Sequence, residues 1–291
     1  MESLRFLHIP KTAGSTFTSI LRRQYSGKPL FDFGGELAAD RERFEALPER
    51  ERKAVALFTG HAPLVTGLKE ADEATTITFL RDPISRVKSF CQHVYEGKSE
   101  YLLNDFPPES FSLDEFLESG NEELSNLQTK YLFNRTHSEF PAGIRKMSAA
   151  EARDAALDNL YNKVSHFGLQ EYFDESLIVF SSALGWRMPI YTTRNRKDES
   201  RLLKFEPRHL ERIAELNAID IEVYRLAKRR FEGLLGGAAF DEAGLKRFRF
   251  VNNKLYPPVV RLREQTVGLM RRLGVIEPVK RLAGRAPRAA P

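Results

Sequence analysis

The first 21 residues of this chain predict a strand, a tight turn and the start of a helix in direct succession. An apolar run at residues 4–9 ends at a proline, and apolar residues resume at helical spacing from Phe17. Backbone N–H groups and the dipole at the start of such a helix favour a bound anion. Lys11 adds a full positive charge, and Ser15 adds a hydroxyl donor. The segment therefore predicts a phosphate-binding turn.

The order of residues in this turn differs from that of a Walker A loop. In a Walker A loop the lysine follows the second glycine, whereas Lys11 precedes Gly14, which is the only glycine here. The string HIPKTAGST at 8–16 resembles the 5′-phosphosulfate loop of sulfotransferases that use 3′-phosphoadenosine 5′-phosphosulfate (PAPS) as donor. It is most similar to the carbohydrate branch, which includes the heparan sulfate 2-O- and 6-O-sulfotransferases. The alternative is an ordinary strand–turn–helix with a surface lysine. The resemblance implies that these residues bind PAPS: Lys11, Thr12, Ala13, Gly14, Ser15 and Thr16.

A second strand is predicted at residues 75–80, where β-branched and apolar residues follow one another, and a second motif begins at its end. The string LRDPISRVKSF, which begins at the end of that strand, resembles the 3′-phosphate site of the same family. The resemblance implies that Arg81 and Ser89 bind the 3′-phosphate of PAPS, and an arginine can hold a phosphate through two parallel hydrogen bonds. For Arg86 the spacing favours an ion pair with Asp82, one turn earlier.

A third strand, predicted at residues 55–58, is followed by Gly60 and His61. The carboxyl ends of parallel strands share one edge of a sheet, so His61 is expected beside both phosphate motifs. The Gly-His pair resembles the general base of the glycan sulfotransferases, which implies that His61 accepts the proton of the acceptor hydroxyl. An ordinary imidazole, with a pKa of about 6.5, suits that task. The alternatives are His93, on the helix after the second motif, and a histidine with a purely structural role.

Three later segments carry further predictions. The string SNLQTKYL at 125–132 resembles a segment near the family's active-site cleft, although a solvated helix face explains it equally well. A basic loop at 192–197 follows a strand predicted at 188–191, and the resemblance implies that it closes over PAPS through Arg194; a surface loop is the alternative. Asp220 is placed to cap the helix that begins there.

Composition favours one large α/β core followed by a basic extension. The chain has 291 residues, of which 42 % are hydrophobic. Residues 241–291 hold 12 Lys and Arg against 4 Asp and Glu, and the rest of the chain holds 33 against 36. We therefore predict a catalytic domain over 1–236 that does not bind nucleic acid. Residues 237–291 are predicted to form a basic helical extension with a disordered tail, which either packs as an ordinary helix or contacts a membrane surface, an anionic glycan or a partner.

The cellular setting is predicted to be a bacterial cytoplasm. No signal peptide is recognisable, and no apolar run approaches the roughly 20 residues that cross a bilayer. The animal glycan sulfotransferases, in contrast, carry an N-terminal membrane anchor. Cys91 is the only cysteine, which fits a reducing compartment and excludes an internal disulfide. No His and Cys cluster has metal-ligand spacing, so no metal is predicted.

Together these motifs predict a central parallel sheet flanked by helices, with P-loop-like topology and right-handed crossovers. The resemblance implies a PAPS-dependent sulfotransferase that acts on a hydroxyl of a carbohydrate or a glycolipid. A kinase or NTPase, and a non-catalytic protein that binds nucleotides or sulfated glycans, are the alternatives. Residues 27–53 and 98–123 are predicted to form loops over the cleft that select the acceptor, and no pattern predicts an oligomeric state.

Overall fold

The computed structural model describes residues 2–133, 147–192, 202–238, 240–256 and 258. Within these ranges the chain forms one sheet of five parallel strands in the spatial order β2-β3-β1-β4-β5. The strands are β1 (Leu4–Leu7), β2 (Leu30–Phe33), β3 (Leu57–Gly60), β4 (Thr75–Leu80) and β5 (His166–Leu169). The predicted parallel α/β architecture is confirmed at this level.

Helices follow the strands and cover the sheet. The α-helices described are α1 (Gly14–Gln24), α2 (Leu37–Glu45), α3 (Glu49–Ala54), α4 (Lys69–Asp72), α5 (Pro83–Tyr95), α6 (Leu113–Glu118), α7 (Leu127–Leu132), α8 (Ala149–Asn162), α9 (Phe173–Leu184), α10 (Pro207–Leu216), α11 (Ala218–Leu235) and α12 (Glu242–Phe250). Short 3₁₀ turns lie at Glu100–Leu102, Pro108–Ser110, Glu122–Leu124 and Gln170–Tyr172, and a π-helical turn covers Val251–Leu255.

The central strands are apolar on both faces, as expected for a parallel sheet covered on both sides. Successive side chains of a strand point to opposite faces, so Phe79 and Leu80 of β4 face different layers. Phe79 packs edge-on against Phe17 of α1, with ring centroids 4.8 Å apart. Leu80 belongs to the other layer, where Leu160 of α8 and Ala227 of α11 are fully buried. The two layers hold β1 and β4 in the middle of the sheet.

Four predicted segments differ from the structure. Residues 27–53, predicted as loops, contain β2, α2 and most of α3, and residues 98–123, also predicted as loops, contain α6. Because β2 is a four-residue edge strand with an Asp inside it, its apolar signal is weak. The strand predicted at 188–191 has no regular structure. The third strand covers Leu57–Gly60 rather than 55–58, so His61 follows the strand directly.

Asp220 does not cap its own helix, which corrects the sequence prediction. Helix α11 begins at Ala218, and the fully buried Asp220 carboxylate accepts hydrogen bonds from two backbone N–H groups at the start of α7. These donors are Gln128, at 3.0 Å, and Thr129, at 2.7 Å. The first N–H groups of a helix have no partner within the helix, and Asp220 supplies one from a distant segment. Asp220 therefore fixes α11 to α7.

The described residues form two compact units. The first comprises 2–133, 147–189, 202–238, 240 and 241, and it contains the whole sheet. The second comprises 190–192, 242–256 and 258. Within the second unit, the Tyr191 backbone N–H donates a 2.7 Å hydrogen bond to the Asn252 side chain, and the Tyr191 ring stacks on Phe248. No helix in the described ranges is long and apolar enough to cross a membrane.

Candidate active site

One cavity of about 990 Å³ lies at the carboxyl edge of the sheet, which is where open α/β sheets bind ligands. Every strand contributes residues that directly follow it. These are His8, Pro10 and Lys11 after β1, Gly34, Gly35 and Glu36 after β2, His61 after β3, Arg81 after β4, and Gln170 after β5. Ala13, Gly14, Ser15 and Thr16 also line the cavity, as do Ser89 and His93 of α5.

The turn between β1 and α1 has an unusual backbone. Lys11 and Ala13 have positive φ angles of 68° and 76°, which cost non-glycine residues on the order of 1–2 kcal/mol each. The side chain of Thr12 is fully buried and donates a 2.8 Å hydrogen bond to the Ile9 carbonyl, so it stabilises the turn rather than lining the cavity. No side chain in the described ranges caps α1. Its first N–H groups are therefore available to an anion.

Gly14 is required at the start of α1 because His8 lies against it. A Cβ placed on Gly14 would overlap the His8 imidazole ring. His8 was not predicted as a site residue, although its position directly after β1 places it at the same edge of the sheet. Burial, together with His61 and Lys11, lowers the pKa of His8 to about 3. His8 is therefore uncharged at neutral pH.

Arg81 joins the two predicted phosphate motifs. Its Nη1 donates a 3.0 Å hydrogen bond to the Lys11 carbonyl oxygen, which brings the end of β4 against the turn after β1. Its Nε is buried without a hydrogen-bond partner among the described residues. Burial lowers the pKa of Arg81, and Glu171 partly opposes this effect. Ser89 lines the same cavity, so both predicted halves of the donor site face one space.

Gln128 holds the backbone of Arg81 through two hydrogen bonds. The Arg81 N–H donates to Gln128 Oε1 at 2.8 Å, and Gln128 Nε2 donates to the Arg81 carbonyl at 2.8 Å. Gln128 is buried and is not part of a solvated helix face. The segment at 125–132 therefore contributes by positioning Arg81, and Asp220 in turn anchors the start of its helix.

Replacement of Gln128 by alanine is expected to lower the free energy of unfolding by about 2–6 kcal/mol, because it leaves two backbone groups of Arg81 unpaired at a cost of about 1–3 kcal/mol each. Urea unfolding measures this change. Gln24→Ala is the control, since Gln24 makes one exposed hydrogen bond, to the Arg187 carbonyl, and its loss should cost less than about 1 kcal/mol. Equal, small changes in both variants would show that Gln128 does not anchor Arg81.

The Lys11 ammonium is in an unfavourable environment. Burial, followed by the charge of Arg81, lowers the pKa of Lys11 to about 8, and the Glu123 carboxylate acts in the opposite direction. A bound anion beside Lys11 would relieve both effects, since an opposite charge favours the protonated form. The free cavity is thus prepared to bind negative charge.

His61 is held in a defined tautomer. Its Nδ1 lies 3.2 Å from the His8 carbonyl oxygen, which can only accept, so Nδ1 carries the proton and Nε2 of the neutral ring is the basic nitrogen. The rings of His61 and His8 stack with centroids 4.3 Å apart. Gly60, with φ of 100°, precedes His61, and a Cβ there would overlap the Phe33 backbone. The close packing of β3 against β2 therefore fixes the backbone position from which the His61 side chain extends.

His93, the other candidate base, lines the same cavity. Burial and the neighbouring charge of Lys11 lower the pKa of His93 to about 4. A general base is most effective when its pKa lies near the working pH, so His93 is a weak base at neutral pH.

Arg86 does not pair with the Asp82 side chain, contrary to the prediction. The Asp82 carboxylate caps α5 by accepting the Ser85 N–H at 2.8 Å. Arg86 is fully buried and donates from Nη2 to the Glu123 carbonyl at 2.6 Å. An i, i+4 spacing on a helix permits an ion pair, but here the capping role of Asp82 and the burial of Arg86 separate the two groups. Arg86 therefore supports the turn that carries Glu123.

Arg194 lies outside the described residues, as does most of the predicted basic loop at 192–197. In the described ranges, no group of three or more His, Cys, Asp or Glu side chains is arranged to hold a metal ion.

Sequence reasoning missed several residues that line the cavity: Glu36, Ser99, Tyr101, Asn121, Glu122, Glu123, Tyr131 and Gln170. Most of them lie in the segments 27–53 and 98–123, which were predicted only as loops near the cleft. Gln170 follows β5 directly, and the rule that strand ends meet at one edge would have identified it.

No protein-family model matches this chain, and a comparison with curated proteins finds no match.

Proposed function

We propose that this protein is a sulfotransferase that moves a sulfuryl group from PAPS to a hydroxyl of a carbohydrate or glycolipid acceptor. The observation that carries the proposal is the contact between the two phosphate motifs. Arg81 Nη1 donates to the Lys11 carbonyl, and both residues line one cavity with Ser89 and the uncapped start of α1. A nucleotide with phosphate groups on the 3′ and 5′ positions of one ribose supplies one anion for each of these cations.

In this proposal the residues act by position and charge. Lys11 and the N–H groups of α1 stabilise the negative charge that develops on the 5′-phosphate as its bond to sulfur breaks. Arg81 and Ser89 bind the 3′-phosphate and fix the donor along the cavity. The acceptor oxygen forms the new bond to sulfur, His61 Nε2 takes the hydroxyl proton, and 3′-phosphoadenosine 5′-phosphate (PAP) leaves.

His61 is preferred to His93 as the base. The His8 carbonyl fixes the His61 tautomer so that Nε2 is basic, whereas the pKa of His93 is lowered to about 4. Comparison of the two alanine variants decides between them.

The test is transfer of ³⁵S-sulfate from PAPS to neutral, amino and acidic oligosaccharides and to glycolipids. The wild type is expected to label at least one class. His61→Ala should lower kcat by about 10²- to 10⁴-fold, the usual contribution of a general base, with PAP affinity unchanged. His93→Ala should change kcat by less than about tenfold, because a weak base contributes little.

Two outcomes would favour the other functions. Binding of PAP without transfer to any acceptor would indicate a nucleotide-binding protein. Hydrolysis of ATP that requires magnesium, without use of PAPS, would indicate a kinase or NTPase. If His93→Ala, and not His61→Ala, abolishes transfer, the assignment of the base is wrong.

A further inference from the structure

Carboxylates from two different turns line the cavity beside the proposed donor site. Glu36 follows β2, and Glu122 and Glu123 lie on the 3₁₀ turn Glu122–Leu124. Lys11 and Arg81 are the only lysine and arginine among the described lining residues, and the proposed function assigns both to the donor. With the donor bound, the described lining residues that remain for an acceptor are therefore glutamates, neutral polar residues, histidines and aromatic residues.

The turn that carries Glu122 and Glu123 is held rigidly. Three consecutive carbonyl groups of this turn each accept a hydrogen bond from a side chain of a different segment. The bonds run from Lys130 Nζ to Glu122 at 2.7 Å, from Arg86 Nη2 to Glu123 at 2.6 Å, and from Asn217 Nδ2 to Leu124 at 2.7 Å. Because one of these donors is the fully buried Arg86, the position of the turn is fixed to the protein core.

The carboxylate of Glu123 is also oriented. The Tyr101 hydroxyl donates a 2.5 Å hydrogen bond to Glu123 Oε1, which leaves acceptor capacity on the carboxylate. Burial and the charge of Glu123 raise the pKa of Tyr101, so its hydroxyl remains a donor. Tyr101 is 61 % exposed, and its ring presents an apolar surface in the same cavity.

The turn that carries Glu36 is fixed in a similar way. The buried Asp40 carboxylate accepts the Gly34 N–H at 2.8 Å and the Gly35 N–H at 3.3 Å. An added Cβ on Gly35 would lie 3.9 Å from the His61 Cβ, so this turn is adjacent to the proposed base. Two turns with a fixed backbone, each carrying a glutamate, thus line the cavity that holds the proposed base.

We infer that the acceptor is an uncharged, hydroxyl-rich molecule, whose hydroxyl groups donate to Glu36 and Glu123 and whose apolar face packs on Tyr101. Carboxylates accept hydrogen bonds from sugar hydroxyls, and they repel uronate or sulfate groups. The same side chains therefore favour a neutral acceptor and disfavour an anionic one. This inference rests on the proposed function. It excludes a polyanionic glycan as the preferred acceptor.

The experiment compares three tetrasaccharides with labelled PAPS: cellotetraose as the neutral acceptor, the glucosamine tetramer as the cationic one, and tetragalacturonate as the anionic one. We expect kcat/KM for cellotetraose to exceed that for tetragalacturonate at least tenfold. Glu123→Gln and Glu36→Gln should each raise the KM for cellotetraose about tenfold and reduce the discrimination against tetragalacturonate. Glu36→Gln should also leave the KM for PAPS unchanged. Glu109→Gln, an exposed residue outside the cavity, is the matched control and should change none of these.

Preference for tetragalacturonate or the glucosamine tetramer would overturn the inference, as would glutamine variants that behave like Glu109→Gln. Failure to label any of the three also contradicts it. Titration of the same protein samples with PAP then distinguishes a wrong acceptor from a wrong function. If PAP binds the wild type, binds Arg81→Ala at least tenfold more weakly, and the wild type transfers sulfate to another acceptor, the error concerns the acceptor alone. If PAP does not bind the wild type, the proposed function is wrong as well.

Discussion

Replacement of Lys11 by alanine is expected to lower the rate of sulfuryl transfer by about 10²- to 10³-fold, the usual effect of removing one donor that stabilises developing negative charge. The reason is local. Lys11 lines the cavity on the strained turn at the start of α1, and Arg81 bonds to its carbonyl. Single-turnover kinetics with labelled PAPS measure the chemical step without interference from product release. Lys69→Ala, on the exposed Lys69–Glu73 pair, is the control and should transfer at the wild-type rate.

Donor binding is also expected to depend on pH through the ionisation of Lys11. Its pKa in the free protein is lowered to about 8, so the ammonium form decreases as the pH rises through that value. Because the anion binds the protonated form, PAP affinity is expected to fall between pH 7 and pH 9 in the wild type. In Lys11→Ala this decrease should disappear, since Arg81 stays protonated across the range. Calorimetric titration at several pH values checks both curves.

An equal pH dependence in wild type and Lys11→Ala would assign the titrating group to another residue. Wild-type transfer by Lys11→Ala would remove Lys11 from the reaction.

Replacement of Arg81 by alanine is expected to weaken PAP binding by about 10- to 100-fold, which corresponds to the 1.5–3 kcal/mol of a hydrogen bond to a charged group. AMP lacks the 3′-phosphate and should lose less than about threefold. The two ligands share the 5′-phosphate, so the ratio of their affinities cancels any shift of the Lys11 turn caused by losing the bond from Arg81. Calorimetric titration of both ligands into both proteins gives this ratio.

Ser89→Ala and Arg81→Lys refine this test. The serine variant should weaken PAP binding severalfold, and the lysine variant should fall between the wild type and alanine, because a lysine keeps the charge and loses the two-pronged geometry. Equal losses of PAP and AMP affinity in Arg81→Ala would show that Arg81 does not bind the 3′-phosphate.

The site residues that can be predicted from the sequence are those next to a recognisable strand in the chain. Arg81 directly follows an apolar run, and Lys11 and His61 each come soon after another. Parallel strands bring such ends to one edge of a sheet, so the shared cavity follows from topology without knowledge of any contact. The exact bounds of β3 were misplaced by two residues because its apolar run begins before the strand does.

The parts that the sequence does not predict depend on partners far apart in the chain. Gln128 holds Arg81 across 47 positions, and Asp220 reaches Thr129 across 91. Helical periodicity indicates that Asp220 starts a helix and gives no information on which distant N–H groups it accepts. Glu123 is similar: its role depends on Arg86, whose burial against the Glu123 carbonyl no local pattern indicates.

Whether one groove binds both the 5′- and the 3′-phosphate of the donor can be seen in a crystal structure of the protein with PAP. We expect the 5′-phosphate at Lys11 and the first N–H groups of α1, and the 3′-phosphate at Arg81 and Ser89, with both in the same cavity. Electron density for PAP at any other place, or with its two phosphates exchanged between these positions, would contradict this expectation.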